Sequence, residues 1–251
     1  FSLISRLDLL WGQLALVSTG LGVVGDGASR VAHASEDGRY VCFVSGATNL
    51  VPGDANGVDD VFRKDMLTGQ LLLVSRATGG APTDDDSTWA RVSGDGWTVC
   101  FISKATTLAP GAGAIWNLFA HEVATGVTSQ VNVQANGMPS QLWVSWITPP
   151  SLDATGRYVL FASAASDLVV GDINGTYDVF VRDRASASTA LVTRAFDGSP
   201  ANGDSRAGHW SRDRGVIAFD SDADNLVPGD GNGVRDVFVY ERNVSSTTCW
   251  T

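Results

Sequence analysis

The feature that most constrains this chain is a repeat. Four segments, GRYVCF (38–43), GWTVCF (96–101), GRYVLF (156–161) and RGVIAF (214–219), are each followed by a second motif: DVFRKD (60–65), NLFAHE (117–122), DVFVRD (178–183) or DVFVYE (236–241). Phe43, Phe101, Phe161 and Phe219 close the first set at spacings of 58, 60 and 58 residues, and Phe62, Phe119, Phe180 and Phe238 mark the second at 57, 61 and 58. A period of this length means that one supersecondary unit is copied. No copy has a complete core of its own, so neighbours must stack to bury their apolar faces.

Each copy reads as four short strands. In the first these are RVAHAS (30–35), a turn at Glu36-Asp37-Gly38, YVCFVS (40–45), a long loop to VFRKD (61–65), a turn at Thr68-Gly69, and LLLVS (71–75). Apolar–polar alternation, β-branched residues and Gly or Asp at the turns are the strand and hairpin signals. Later fourth strands are ALVT (190–193) and TCWT (248–251). Four antiparallel strands per repeat make the blade of a β-propeller. The expected fold is therefore all-β, a single domain over 1–251 with full blades at 19–77, 78–134, 135–194 and 195–251. Composition agrees, because of 27 acidic residues only Glu36, Glu122 and Glu241 are Glu, and of 17 basic ones only Lys64 and Lys104 are Lys. Asp competes for backbone hydrogen bonds in turns, whereas Glu and Lys suit helix surfaces, so helices should be few.

The repeat also extends toward the N-terminus. ISRLDLLWGQLALVS (4–18) matches VFRKDMLTGQLLLVS (61–75) at an offset of 57, with Asp8 on Asp65 and Gly12-Gln13-Leu14 on Gly69-Gln70-Leu71. Residues 1–18 thus read as the outer hairpin of a further, partial blade, giving five blade positions; a four-bladed ring with the hairpin outside it is the alternative. An incomplete blade exposes unpaired strand edges, which proteins rarely leave uncovered, so self-association through it is expected.

Once these motifs are set out, the segment SEDGRYVCFVSGATNLVPGDANGVDDVFRKDMLTGQLLLVS (35–75) resembles the WD-like propeller repeat of the TolB kind, in its bacterial extracellular form with a GDxNGxxDVFV loop. The resemblance runs from Leu16 to Thr251. It implies the propeller fold, an extracellular or periplasmic location and a role as a binding module. Propellers of this kind also form parts of peptidases, so the resemblance constrains fold more than function.

The long loop carries the most specific local signal. GDANGVDD (53–60), GDINGTYD (171–178) and GDGNGVRD (229–236) each spell Asp-x-Asn-Gly-x-x-Asp. Calcium takes six to eight oxygen ligands, and three side-chain oxygen donors recur here in a short arc with Gly for the turn. The expected ligands are Asp54, Asn56 and Asp60, then Asp172, Asn174 and Asp178, then Asp230, Asn232 and Asp236, with calcium as the cofactor. Asp and Asn also close Asx-turns without metal, which is the alternative for the same residues. The second repeat is an internal control: Gly111, Gly113 and Asn117 stand in the ligand positions, and it should bind nothing.

A second constellation lies on the innermost strands, which line a propeller's central channel. SRVAHAS (29–35) and SRAGHWS (205–211) share a pattern that places His33 and His209 in one slot, filled by Arg91 and Ser151 in the other repeats. These four are the candidate ligand-binding residues; histidines hydrogen-bonded within the blade are the competing reading.

The rest narrows the function. With a pI near 4.6, a net charge of −10 and scattered Arg, the chain lacks the basic stripe that nucleic acid requires. No apolar run reaches the length of a membrane span. Glu122 and Glu241 fall in the third-strand slot shared with Asp65 and Asp183, so they read as repeated structural acids, and no catalytic residues are assigned. Neither G-x-S-x-G, HExxH, a P-loop nor CxxC occurs. Cys42, Cys100 and Cys249 read as buried core residues. The expectation is a non-catalytic, calcium-stabilised module for a protein or surface partner. The alternatives are a lectin, given Trp89, Trp97, Trp116, Trp143, Trp146 and Trp210, and more remotely a glycoside hydrolase. The insertion SQLWVSWITPP (140–150) breaks the repeat and is the expected place for an added function or an edge cover.

Overall fold

The computed structural model describes residues 14–145, 148–211, 215–241 and 247–249. Every regular element among them is a strand. A short hairpin of β1 (Thr19–Gly20) and β2 (Val23–Val24) leads into four antiparallel four-stranded sheets. Blade one holds β3 (Ser29–Ala34), β4 (Tyr40–Ser45), β5 (Asp60–Asp65) and β6 (Leu71–Leu73); blade two holds β7 (Ser87–Val92), β8 (Thr98–Ser103), β9 (Asn117–Glu122) and β10 (Val127–Gln130). Blade three holds β11 (Ser151–Leu152), β12 (Tyr158–Ser163), β13 (Asp178–Asp183) and β14 (Ser188–Leu191), and blade four holds β15 (Ser205–Trp210), β16 (Val216–Ser221), β17 (Asp236–Glu241) and β18 (Thr247–Cys249). In each sheet the strands pair in chain order, and the first strand of one blade packs on the inner strands of the blade before it. This is the β-propeller arrangement anticipated from the repeat.

The phenylalanines hold the blades together. Phe43 and Phe62, Phe101 and Phe119, Phe161 and Phe180, and Phe219 and Phe238 sit directly opposite one another across the two central strands, with ring centroids 5.6–5.9 Å apart. Because side chains alternate across a strand, these pairs face the preceding blade while Cys42, Val44 and Val61 of blade one face the next. Three apolar clusters result, one in each interface between consecutive blades, and a fourth beneath Phe43 and Phe62 that takes in Val17.

The outer strands end earlier than the apolar pattern suggests. Beyond Leu73 a side chain takes over the ladder: the Val61 N–H donates to Ser75 Oγ at 2.9 Å, and in blade three the Val179 N–H donates to Thr193 Oγ1 at 3.1 Å. LLLVS and ALVT therefore stop being strand two residues before their ends.

Gly96 shows how tightly the blades close. Its φ is +80°, and a Cβ there would fall 1.9 Å from the Tyr40 ring of blade one, whereas Gly38, at φ +70°, has nothing within 4 Å. Left-handed backbone costs an ordinary residue about 1–2 kcal/mol. Gly38→Ala is expected to lose only that much, and Gly96→Ala clearly more, in parallel thermal melts.

The predicted hairpin 1–18 lies mainly outside the described residues, but the segment after it does not. Lys64 Nζ donates to the carbonyls of Val17 and Thr19 at 3.1 and 2.9 Å. One blade later His121 stands where Lys64 does, and there Thr128 Oγ1, 2.9 Å from His121 Nδ1, donates to the Arg76 carbonyl at 2.5 Å. Residues 14–24 thus lie along blade one as the link after β6 lies along blade two. Deleting 1–18 is expected to lower the melting temperature or cause aggregation; an unchanged melt favours the four-bladed ring.

Candidate functional site

Two sets of residues carry chemistry, at the loops and on the inner strands. In the loop between β4 and β5, Asn56 Oδ1 accepts the Val58 N–H at 3.4 Å and Nδ2 donates to Asp60 Oδ2 at 2.8 Å. The same turn recurs with Asn174, Thr176 and Asp178, and with Asn232, Val234 and Asp236. Both Asp60 oxygens accept hydrogen bonds, Oδ1 from Ser75 at 2.5 Å and Thr83 at 2.9 Å and Oδ2 from Asn56. The Asx-turn is therefore present in all three loops.

A turn does not account for the first aspartate. Asp54 is 5% exposed and Asp172 3%, yet no donor reaches the buried Asp54 Oδ2, Asp172 Oδ1 and Asp230 Oδ2, and the Asp54 carboxyl lies against that of Asp60. Burial and the neighbouring Asp60 charge push the Asp54 carboxyl up to about 6, and burial, opposed by Thr193 and Asn174 but reinforced by Asp172, does the same for Asp178. A buried carboxylate beside another needs a proton or a cation. The donors at hand are carboxylate, amide and backbone oxygens, the set that suits a hard cation. Among the described residues no three His, Cys, Asp or Glu surround a common point, so any further ligands would be amide or backbone oxygens. The second loop differs as its sequence foretells: Asn117 Nδ2 donates to the carbonyls of Gly113 and Ile115 at 3.0 and 3.2 Å, bonds that a carboxylate cannot make.

The four inner-strand residues share one register. His33 pairs with Cys42, Arg91 with Cys100, Ser151 with Leu160 and His209 with Ala218, each on the edge strand of its sheet. In β3, β7 and β15 a bulge shifts the register just before this position. Within it Val31 and Trp89 adopt φ of +55° and +50°, a costly conformation for such side chains. Only Gly208 in β15 marks a bulge in the sequence; Val31 and Trp89 carry no such sign. Among the described residues of blade three there is none: Pro149 occupies the position of Trp89, and proline cannot take a positive φ. Its inner strand shrinks to Ser151–Leu152.

His33 is close enough to Arg91 and His209 to feel their charge. Burial, then Arg91 and His209, bring the His33 imidazole down to about 4, and its Nδ1 is buried without a partner. Ser151 is buried at the matching place. Because His33 is neutral in the fold, its contribution to stability is present above about 6.5 and lost as the pH falls toward 4. An NMR titration of His33 should give a midpoint well below 6.5, moving upward in Arg91→Ala; a midpoint at or above 6.5 contradicts this geometry.

Three of the third-strand acids and two thiols serve structure. Asp65, Glu122 and Asp183 pair with Arg39, Arg184 and Arg157. Cys42 and Cys100 are free and buried, their thiols pushed up to about 12 by desolvation. In the insertion, Val144 is buried in the core between blades two and three and bridges to Ser163, while Trp143 is 56% exposed; Trp146 lies outside the described residues.

Solved structures share this fold. TolB from Acinetobacter baumannii matches at 15% identity and a TM-score of 0.52, over 90% of this chain and 44% of that one. A putative TolB from Agrobacterium tumefaciens matches at 13% and 0.51, over 90% and 62%, and the tricorn protease at 14% and 0.53, over 89% and 19%. The chain thus spans less than two thirds of each of these proteins. No protein-family model and no curated protein matches it. At such identities the likeness is one of fold: the chain is a β-propeller with TolB-like structural neighbours.

Proposed function

We propose that this chain is a non-catalytic binding propeller, stabilised by calcium in three of its four long loops, acting outside the cytoplasm in an extracellular or periplasmic setting and taking a protein partner at the channel mouth. The observation that carries the binding role is that His33, Arg91, Ser151 and His209 hold a single register on the first strands of their blades, with strained backbone at Val31 and Trp89 beside two of them. Strain held at one repeated position is a feature of sites that position side chains. The Arg91 cation, in a chain of net charge −10, favours an acidic partner segment. Turnover is not proposed, because the third-strand acids Asp65, Glu122 and Asp183 are occupied by arginines and no acid–base pair among the described residues converges on the four inner-strand residues.

The calcium assignment rests on the unpartnered oxygens of Asp54, Asp172 and Asp230, with Asp60, Asp178 and Asp236 and the turn asparagines completing each loop. When bound, the ion neutralises adjacent carboxylates and stiffens the loop. A carbohydrate ligand is the second reading, favoured by the exposed rings of Trp97 (47%) and Trp143 (56%). The test has three arms: partner capture by wild type and by Arg91→Ala, a glycan panel with and without calcium, and hydrolysis assays on glycans and peptides. Capture lost in Arg91→Ala at an unchanged melting temperature supports the proposal. Hydrolysis at enzymatic rates that depends on one carboxylate overturns it.

A further inference from the structure

At one register of the third strands the four blades carry Lys64, His121, Arg182 and Tyr240, opposite Val41, Val99, Val159 and Ile217. Two of these act as donors within the fold: Lys64 Nζ holds the carbonyls of Val17 and Thr19, and Arg182 Nη1 donates to Thr189 Oγ1 at 3.0 Å. His121 differs. The link carbonyl beside it, that of Arg76, is taken by the Thr128 hydroxyl. A hydroxyl has one proton, so toward His121 Nδ1 the Thr128 oxygen can only accept, and the ring proton sits on Nδ1. Burial, then the Arg76 charge, bring the imidazole down to about 4 against the pull of Glu122, so the ring is neutral. Nε2 is therefore a bare acceptor, and no donor meets it among the described residues.

The ring walls a cleft of about 310 Å³ between β6 of blade one and the β9–β10 hairpin of blade two, bounded also by Leu72, Leu73, Arg76, Gly80 and Val123. Arg76 uses one hydrogen bond to fix its guanidinium, from Nη2 to the Gly80 carbonyl at 3.2 Å, and no carboxylate pairs with it among the described residues. Its charge acts on His121, so the two groups stand near each other. Leu72, Leu73 and Val123 are half-buried. One small cleft thus gathers a cation, a hydrogen-bond acceptor and an apolar wall.

We infer that this cleft binds the C-terminal residue of a partner polypeptide, with its carboxylate on the Arg76 guanidinium, its backbone N–H donated to His121 Nε2 and an apolar side chain against Leu72, Leu73 and Val123. A chain terminus carries an anion, a donor and an apolar branch within one residue, which matches the three features of a cleft this small. A fatty acid would leave Nε2 without a donor, and an internal acidic residue would leave the apolar wall uncovered. The site lies at the outer strands, needs none of His33, Arg91, Ser151 and His209, and does not depend on calcium.

N-acetyl-leucine, which presents all three groups, is the probe, titrated by calorimetry into the full chain beside N-acetyl-leucine amide, which lacks the carboxylate, and isocaproate, which lacks the N–H. It should bind at least tenfold tighter than either, and acetyl-Ala-Ala-Leu, a true chain terminus, at least as tightly as N-acetyl-leucine. Arg76→Gln and His121→Phe should each weaken the tripeptide at least tenfold. Because His121→Phe also gives up the bond to Thr128, the ring nitrogens are followed by NMR in the unaltered protein. The proton should be found on Nδ1 in the free chain, and the Nε2 signal should shift as that of a nitrogen accepting a hydrogen bond when acetyl-Ala-Ala-Leu is added. A proton on Nε2 in the free chain, an Nε2 signal that the tripeptide leaves unmoved, equal binding of the amide or of isocaproate, exclusion of the tripeptide, indifference to both variants, or no binding of any of these compounds would each overturn the inference.

Discussion

Phe161→Ala should lower the stability of the protein by about 3–5 kcal/mol, since truncating a tightly packed phenylalanine loses its transfer energy and leaves a cavity. Phe161 is 3% exposed, stacks on Phe180 at 5.7 Å and joins the cluster that binds blade three to Val131, Leu118 and Ile102 of blade two. For a domain of this size that loss corresponds to a melting temperature lower by roughly 6–20 °C. Phe196 is the control: at 62% exposure its replacement by Ala should change stability by no more than about 0.5 kcal/mol. Differential scanning calorimetry on the two variants checks both, and equal effects would mean that the repeated phenylalanines do not hold the blades together.

The second large effect is expected from the metal. A ligand bound only by the native state adds RT ln(1 + [L]/Kd), about 2.7 kcal/mol for a site at a hundredfold excess over Kd, or roughly 5–10 °C in a domain of this size. Chelation should therefore lower the melting temperature, and added calcium should restore it. Asp172→Ala removes the buried acid of the third loop, so it should lose part of the calcium-induced shift and keep the rest, because Asp54 and Asp230 lie in separate loops. Introducing an Asp at Gly111 should not create a fourth site, since Asn117 already bonds the loop carbonyls at Gly113 and Ile115.

Most of the fold was legible because it is written four times. A phenylalanine pair recurring at the same register fixes the sheet, the face and the blade interface together, and YVCFVS matched its strand residue for residue. Where the structure departs from the pattern, a side chain or a backbone constraint intervenes. Ser75 and Thr193 cut short the outer strands by replacing a backbone partner with a hydroxyl, and Pro149 and Pro150 reduce β11 to two residues. The slot of His33, Arg91, Ser151 and His209 could be found from the repeat, but not the bulge beneath three of them: Val31 and Trp89 are residues that sequence reasoning would place in regular strand. The aspartates of the loops were equally visible. Their division of labour was not, because only three-dimensional packing reveals that Asp60 is surrounded by hydroxyl and amide donors while Asp54 is buried with an oxygen left over. The stacking of Arg63 on Tyr40 was invisible for a different reason, since no periodicity announces it.

The central proposal is that calcium binds the first, third and fourth long loops and not the second. Metal analysis of the protein after chelation and re-equilibration with calcium, with calorimetric titration alongside, tests it most directly. The account predicts three calcium ions per chain, falling to two in Asp172→Ala and staying at three in Asn117→Ala. No bound calcium at millimolar concentration, or a stoichiometry that Asp172→Ala leaves unchanged, would contradict it.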